Sequence, residues 1–187
     1  GQSFYQHCKE LLAALEEAEG DLSTRRGEAS GVLRISAPVT FGILHLAPLW
    51  GEFLALYPKV TLDVSLSDRT VDLVEDGFDA AIRISSAPHP SLIARKLAST
   101  RMVLCASPAY LERRGTPSHP RELADHEVIA YSYWAPRDEW TFEGPDGPVT
   151  VKVSARLRAN NGDTCRAAAL RHQGIVLQPG FLVDGDL

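Results

Sequence analysis

Between residues 32 and 85 the apolar residues switch repeatedly between the two-residue period of a strand and the 3.6-residue period of a helix. This alternation constrains the chain more than any other feature. Val32, Leu33 and Ile35 suit a buried strand, and Leu46, Leu49, Trp50, Phe53, Leu54 and Tyr57 then fall at helical spacing. Pro58 forbids continuation of that helix because it lacks an N–H and clashes with the preceding turn. Val60, Leu62, Val64 and Leu66 alternate with Thr61, Asp63 and Ser65, the period of a strand with one drier face. Ser67 and Asp68 can cap a short helix through Val71, Leu73 and Val74, and "GFDAAIRIS" at 77–85 turns into a third strand. The order β-α-β-α-β implies a parallel sheet with right-handed crossovers, and so an α/β class.

The second half repeats the logic less regularly. Arg101–Ala106 reads as a strand, Pro108–Arg114 as a short helix, and Val128–Tyr133 as a strand. The P-D-G-P turn signature within residues 140–153 joins two β-rich runs into a hairpin. "ARLRANNGD" at 155–163 leads from strand to helix, that helix ends at Gly174, and "IVLQP" closes with a strand. At 187 residues and 44% hydrophobic content the chain can bury one ordinary core or two small ones, and two α/β lobes are the economical arrangement.

The first 30 residues follow a different rule. Phe4, Cys8, Leu11, Leu15, Ala18 and Leu22 recur at alternating steps of four and three, a heptad seam suited to self-association. A single helix lying on its own domain would show the same short seam. "STRRGEASG" at 23–31 reads as a hinge.

Several function classes are disfavoured. Cys8, Cys105 and Cys165 are odd in number and far apart, against a disulfide framework or a zinc site, and read as small buried apolar residues. His7, His45, His89, His119, His126 and His172 are scattered without metal-ligand spacing, and no nucleophile elbow, Walker loop or dinucleotide fingerprint occurs. Neither an enzyme nor a cofactor is expected. No stretch approaches the roughly 18 apolar residues of a membrane span and no signal peptide opens the sequence, so the expectation is a cytoplasmic protein without a membrane. A formal charge of −5 opposes direct binding to DNA, whose phosphates need clustered Lys and Arg.

The segments "LRISAPVTFG…HLAPLWGEFLALYPKVTLDVSLSDRTVDLVEDGFDAAIRI", "LIARKLASTRMVLCASPAYLERRG" and "RLRANNGD…GIVLQPGFLV" strongly resemble the effector-binding domain of LysR-type bacterial transcriptional regulators. The resemblance covers nearly all of residues 31–187. It implies two Rossmann-like subdomains of the periplasmic-binding-protein type, preceded by a linker helix. Residues 1–30 would form the linker helix and hinge, 31–107 the first subdomain and 108–187 the second. A final strand and helix returning to the first subdomain would lie beyond Leu187. The resemblance further implies a small-molecule inducer between the lobes and a homodimer or homotetramer built through the linker helix. DNA would be contacted only through an N-terminal winged helix-turn-helix that is not in these residues. A solute-binding protein of similar architecture is the competing function.

The candidate effector residues sit at strand-to-helix turns, where unpaired helix-start N–H groups point outward and open α/β sheets hold ligands. Thr40 with the amides of Phe41 and Gly42 makes a corner suited to an anionic inducer such as a carboxylate, against the alternative that Thr40 merely caps a helix. Ser67 faces the same crevice or caps the next helix. Arg83 would neutralise an acidic inducer, or pair with Asp79 or Asp63. Asn160 and Asn161, with Asp163, form the corresponding turn of the second lobe, either as effector contacts or as a capped turn.

Overall fold

A computed structural model describes residues 29–69, 72–73, 75–85, 91–133, 138–145 and 147–187. The heptad residues Phe4, Cys8, Leu11, Leu15, Ala18 and Leu22 lie outside the described residues. The described chain forms two sheets and a separate hairpin.

The first sheet has the order β2-β1-β3 and is parallel throughout. Strand β1 (Ser30–Ala37) pairs with β2 (Lys59–Leu66) along its whole length, from Ser30 opposite Lys59 to Ala37 opposite Leu66. The crossover between them is helix α1 (Val39–Leu56), which ends before Pro58 as its sequence requires. Its path is uneven: Gly42–Leu46 winds as a wider π turn and Ala47–Leu49 as a tighter 3-10 turn. Pro48 sits at the junction and cannot donate to the turn before it, which accounts for the change in winding.

Of the six apolar positions that mark this helix in the sequence, Leu46, Trp50 and Phe53 are half-buried, at i, i+4 and i+7, whereas Leu49, Leu54 and Tyr57 are exposed. Ile43, Leu44 and Leu56 are exposed as well. This corrects the expectation about membrane-length stretches, because α1 is long and apolar enough by composition to cross a membrane. Here it serves instead as a crossover between paired strands of one sheet.

Strand β3 is only Ala80–Ala81, shorter than the expected 77–85. The Asp79 and Ile82 amides still donate to the Arg34 and Ser36 carbonyls at 3.0 and 2.8 Å, and the chain then leaves β1. Nor do the described residues of 71–74 form a helix. The Asp72 carboxylate takes the Glu75 N–H and the Asp76 carboxylate takes the Asp72 N–H, both at 3.1 Å, so side chains supply the partners that a helix would have offered.

The second sheet has the order β4-β9-β5-β8. Strand β5 (Val128–Tyr131) runs parallel to β8 (Ala155–Ala159) and β9 (Ile175–Pro179), while β4 (Met102–Cys105) is antiparallel to β9. The hydrogen bonds of β4 thus put it in the second sheet, ahead of the expected boundary at 107/108. Helix α2 (Pro108–Arg114) follows as expected. Strands β6 (Glu139–Gly144) and β7 (Gly147–Lys152) form the expected antiparallel hairpin, with Gly144 opposite Gly147.

The main cores belong to this half. Tyr110, Leu123, Val128, Trp140, Val151, Val153 and Ile175 make one cluster. Ile129 and Val176 make another with Cys165, Ala168 and Ala169 of helix α3 (Gly162–Leu170), whose small side chains let the helix approach the sheet closely. Cys165 is fully buried, and burial pushes its thiol up, as it does for half-buried Cys105. Helix α3 ends four residues before Gly174. His172 takes the left-handed conformation there (φ 61°), its Nδ1 meeting the Ser107 hydroxyl at 2.8 Å. Helix α4 (Gly180–Val183) closes the described chain.

Candidate functional site

The turn from β1 into α1 opens with Pro38 in an extended conformation, with no side-chain cap of its own. The first amide of the helix, Val39 N–H, donates to the carboxylate of Asp68 at 2.9 Å, so the residue after Ser67 caps a helix that begins 29 positions earlier. Thr40 therefore does not serve as the cap. It is 8% exposed, and its hydroxyl donates to the carboxylate of Asp163 in the first turn of α3. Phe41 directs its ring to Phe181 of α4, edge-on at 5.6 Å, and to His45 at 5.0 Å. Gly42 packs closely against the end of β2: a Cβ there would lie 2.4 Å from the Leu66 Cδ2 atom, so a larger residue would have to turn that leucine side chain aside.

Arg83 departs from expectation. Its guanidinium donates to the Ser36 hydroxyl at 2.6 Å and the Ile82 carbonyl at 3.0 Å. Burial lowers its pKa, and the neighbouring Asp68 carboxylate opposes that shift. The two acids expected to pair with it serve Arg34 instead: Asp79 accepts the Arg34 N–H at 2.8 Å, and Asp63 lies 3.6 Å from the Arg34 guanidinium. Both carboxylates flank β1 beside Arg34, whereas Arg83 follows β3 and turns back onto Ser36.

Between the ends of the two sheets lies an open cavity of about 220 Å³. The first lobe supplies Val39, Leu66, Ser67, Asp68 and Arg69, and the second supplies Tyr133, Asn160 and Asn161. Of the residues singled out from sequence, Ser67, Asn160 and Asn161 thus line one cleft. Thr40, Phe41 and Gly42 form the closed contact beside it, and Arg83 does not line it. Asn161 also caps α3, its side-chain oxygen accepting from the Thr164 N–H at 2.9 Å and the Thr164 hydroxyl at 3.0 Å. The Ser67 hydroxyl accepts the Arg69 N–H at 3.2 Å.

Sequence reasoning missed Asp68, Arg69, Tyr131 and Tyr133. The first two adjoin Ser67 at the carboxyl end of a parallel strand, which was the available signal. Tyr131 ends β5, and burial together with the nearby Asp68 carboxylate holds its phenol protonated, far above the ordinary value. Asp68 thus accepts the Val39 amide and lies near both the Tyr131 phenol and the Arg83 cation. Arg69 makes no ion pair among the described residues.

A second cavity of about 200 Å³, between the turn after β4 and helices α3 and α4, is lined mainly by apolar side chains beside the Arg166–Asp186 ion pair. None of the residues selected from sequence as effector contacts lines it. No group of three or more His, Cys, Asp or Glu able to hold a metal ion occurs among the described residues.

A family model described as the LysR substrate binding domain matches residues 26–187. The chain belongs to the LysR family. The probable HTH-type transcriptional regulator LtrA of Klebsiella pneumoniae is 33% identical over an alignment that covers 100% of this chain and 62% of that protein. Among solved structures, the LysR-type transcriptional regulator CrgA of Neisseria meningitidis matches with a TM-score of 0.72 at 29% identity, over 100% of this chain and 63% of that one. The virulence activator AphB of Vibrio cholerae gives a TM-score of 0.72 at 29% identity, over 99% of this chain and 63% of that one. The chain spans about three-fifths of the length of these relatives. The cleft thus lies in a LysR substrate-binding domain of periplasmic-binding-protein type, and its relatives are named as transcriptional regulators rather than enzymes.

Proposed function

We propose that this chain is the effector-sensing part of a cytoplasmic LysR-type transcriptional regulator. A small polar molecule enters the cleft between Ser67–Arg69 and Asn160–Asn161, and its binding is passed to DNA through a winged helix-turn-helix outside these residues. The observation that carries this reading is the open cavity walled by polar groups from both lobes. At about 220 Å³ it is smaller than the roughly 300–1,000 Å³ of sites for drug-sized ligands, so the effector is a small metabolite. Arg69, without an ion pair among the described residues, favours an acidic one. The heptad at Phe4–Leu22 supports a homodimer or homotetramer, and it favours a regulator over a solute-binding protein, which has no use for an exposed apolar seam.

A thermal-shift screen of small mono- and dicarboxylates against the 187-residue chain tests the reading. A true effector at 100 times its Kd adds about 2.7 kcal/mol of stability. Ser67→Ala and Arg69→Gln should each weaken the hit without unfolding the chain, because both residues are on the cleft wall. A hit that neither substitution weakens would move the site elsewhere.

A further inference from the structure

One hydroxyl–carboxylate contact crosses between the lobes: Thr40 of the first donates to Asp163 of the second, 123 positions away. Tyr131 of the second lobe also lies near Asp68 of the first, whose charge helps to raise its phenol. Alongside them the Phe181 ring of α4 packs edge-on against both Phe41 and His45 of α1, each at 5.6 Å. The hydroxyl comes from one lobe and the carboxylate from the other, and aromatic rings from both lobes meet at the same boundary. These contacts need no ligand.

Neither Thr40 nor Asp163 is needed by its own helix. Asp68 already takes the first amide of α1, and Asn161 already takes the Thr164 amide of α3. Asp163, in the first turn of α3, could stabilise that helix by its charge while facing solvent, yet its carboxylate reaches across to a hydroxyl that is almost fully shielded from water. A carboxylate acceptor makes the bond about twice as strong as one between neutral groups. The corner that the sequence marks out for an anion is thus filled by an anion of the protein itself.

We propose that Asp163 is a built-in competitor for an acidic effector: its contact with Thr40 holds the lobes together in the free protein, and an incoming carboxylate displaces it. This rests on the reading of the cleft as the effector site. In the free state the cleft is closed at the Thr40 end and open at the Arg69 end. An effector carboxylate drawn in by Arg69 takes over the Thr40 hydroxyl, and Asp163 returns to solvent at the start of its own helix. A neutral analogue of the same shape cannot replace the charged acceptor and leaves the latch shut. The Phe181 ring against Phe41 and His45 stays in place as the pivot.

Hydrogen exchange on the full 187-residue chain tests the latch without any effector. The reporters are the hydrogen-bonded amides of Gly42, which donates to Pro38, and Cys165, which donates to Asn161. Thr40→Val and Asp163→Ala should each accelerate exchange at both amides by about tenfold, the effect of losing one charge-assisted hydrogen bond. The double variant should add little to either single one, because both remove the same contact. Effects confined to the mutated lobe, or additive in the double variant, would overturn the latch. Asp163→Asn, which keeps the shape and a weaker acceptor, should give an intermediate acceleration and serves if Asp163→Ala misfolds.

Displacement is tested with sodium acetate and acetamide as probes, read by the amide shifts of Val39–Gly42. Asp163→Ala should bind acetate about tenfold more tightly than the unaltered chain, with acetamide unchanged. Equal acetate affinities would overturn the competition. No acetate response in either protein, with exchange still coupled between the lobes, would instead count against the effector-site reading and the displacement that rests on it.

Discussion

Asn161 is where a helix cap and a cleft wall coincide, and the two roles can be separated by substitution. Its side-chain oxygen accepts from the Thr164 N–H at 2.9 Å and from the Thr164 hydroxyl at 3.0 Å. Thr164 is exposed, so in Asn161→Ala its hydroxyl turns to water at little cost, whereas the amide loses the acceptor that the helix start needs. Removing such a cap costs about 1 kcal/mol. Helix α3 carries Cys165, Ala168 and Ala169 into the core of the second sheet, so the loss is felt by the whole lobe. For a chain of this size each 1 kcal/mol lowers Tm by about 2–4 °C, which is the expected shift for Asn161→Ala in thermal denaturation followed by circular dichroism. Asn161→Asp keeps the acceptor and places a negative charge at a helix N-terminus, so its stability should stay within about 0.5 kcal/mol of the unaltered chain. The same substitution turns a neutral cleft wall acidic, and an acidic effector found in the screen should bind at least about fivefold more weakly by calorimetry. If Asn161→Asp lost as much stability as Asn161→Ala, the capping argument would be wrong.

Gly174→Ala should be far more damaging than Gly77→Ala, although both glycines have positive φ. A Cβ at Gly174 would lie 2.4 Å from the Glu127 carbonyl oxygen, which cannot retreat because it accepts the Ile175 N–H at 2.9 Å where β9 meets β5, so a loss of about 2–4 kcal/mol is expected. Gly77 meets nothing within 4 Å, and its substitution carries only the left-handed backbone penalty of about 1–2 kcal/mol; equal urea midpoints for the two variants would contradict the steric argument. The double hydrogen bond from Arg166 holds the Asp186 carboxyl below its ordinary 3.8, so the pair's contribution to stability is fully present above pH 3.8 and is lost as pH falls through the lower folded-state value. Urea midpoints measured across that range should fall less steeply for Asp186→Asn than for the unaltered chain, and identical pH profiles would refute the linkage.

What the sequence made legible follows the range of the interactions involved. Pro108–Arg114 and Ile175–Pro179 were readable to the residue because their signals are local, a proline at the first helical position in one and an apolar run after a glycine in the other. The P-D-G-P hairpin was legible for the same reason. The failures in the first lobe were competitions that a pattern does not reveal. At 71–74 apolar spacing suggested a helix, but the described residues there enter a turn in which carboxylates of Asp72 and Asp76 take two backbone amides and the Asp76 N–H alone reaches back four residues, to the Asp72 carbonyl at 2.9 Å. At 77–85 the apolar residues of a strand were present, but only two residues found ladder partners before Arg83 folded back to Ser36.

The site shows the same division more sharply. That polar groups gather at Thr40, Ser67 and Asn160–Asn161 follows from topology, because the carboxyl ends of parallel strands converge wherever a β-α-β unit forms. Ser67 and Asn161 find partners two and three positions on, but what Thr40 does depends on a cap that reaches Val39 from 29 positions away and on a carboxylate 123 positions away, and spacing along the chain carries no information about those distances. Thr40 posed a choice between cap and ligand contact, and the fold answers with a third role, because Asp68 arrives from the next strand to do the capping and leaves the hydroxyl for the other lobe. The same displacement of roles releases Asp163 from α3 once Asn161 has capped it. Because Asp68 and Asn161 do the capping, Thr40 and Asp163 can exchange partners without unfolding the helices that carry them, and that freedom is what the proposed displacement of Asp163 by an acidic effector requires.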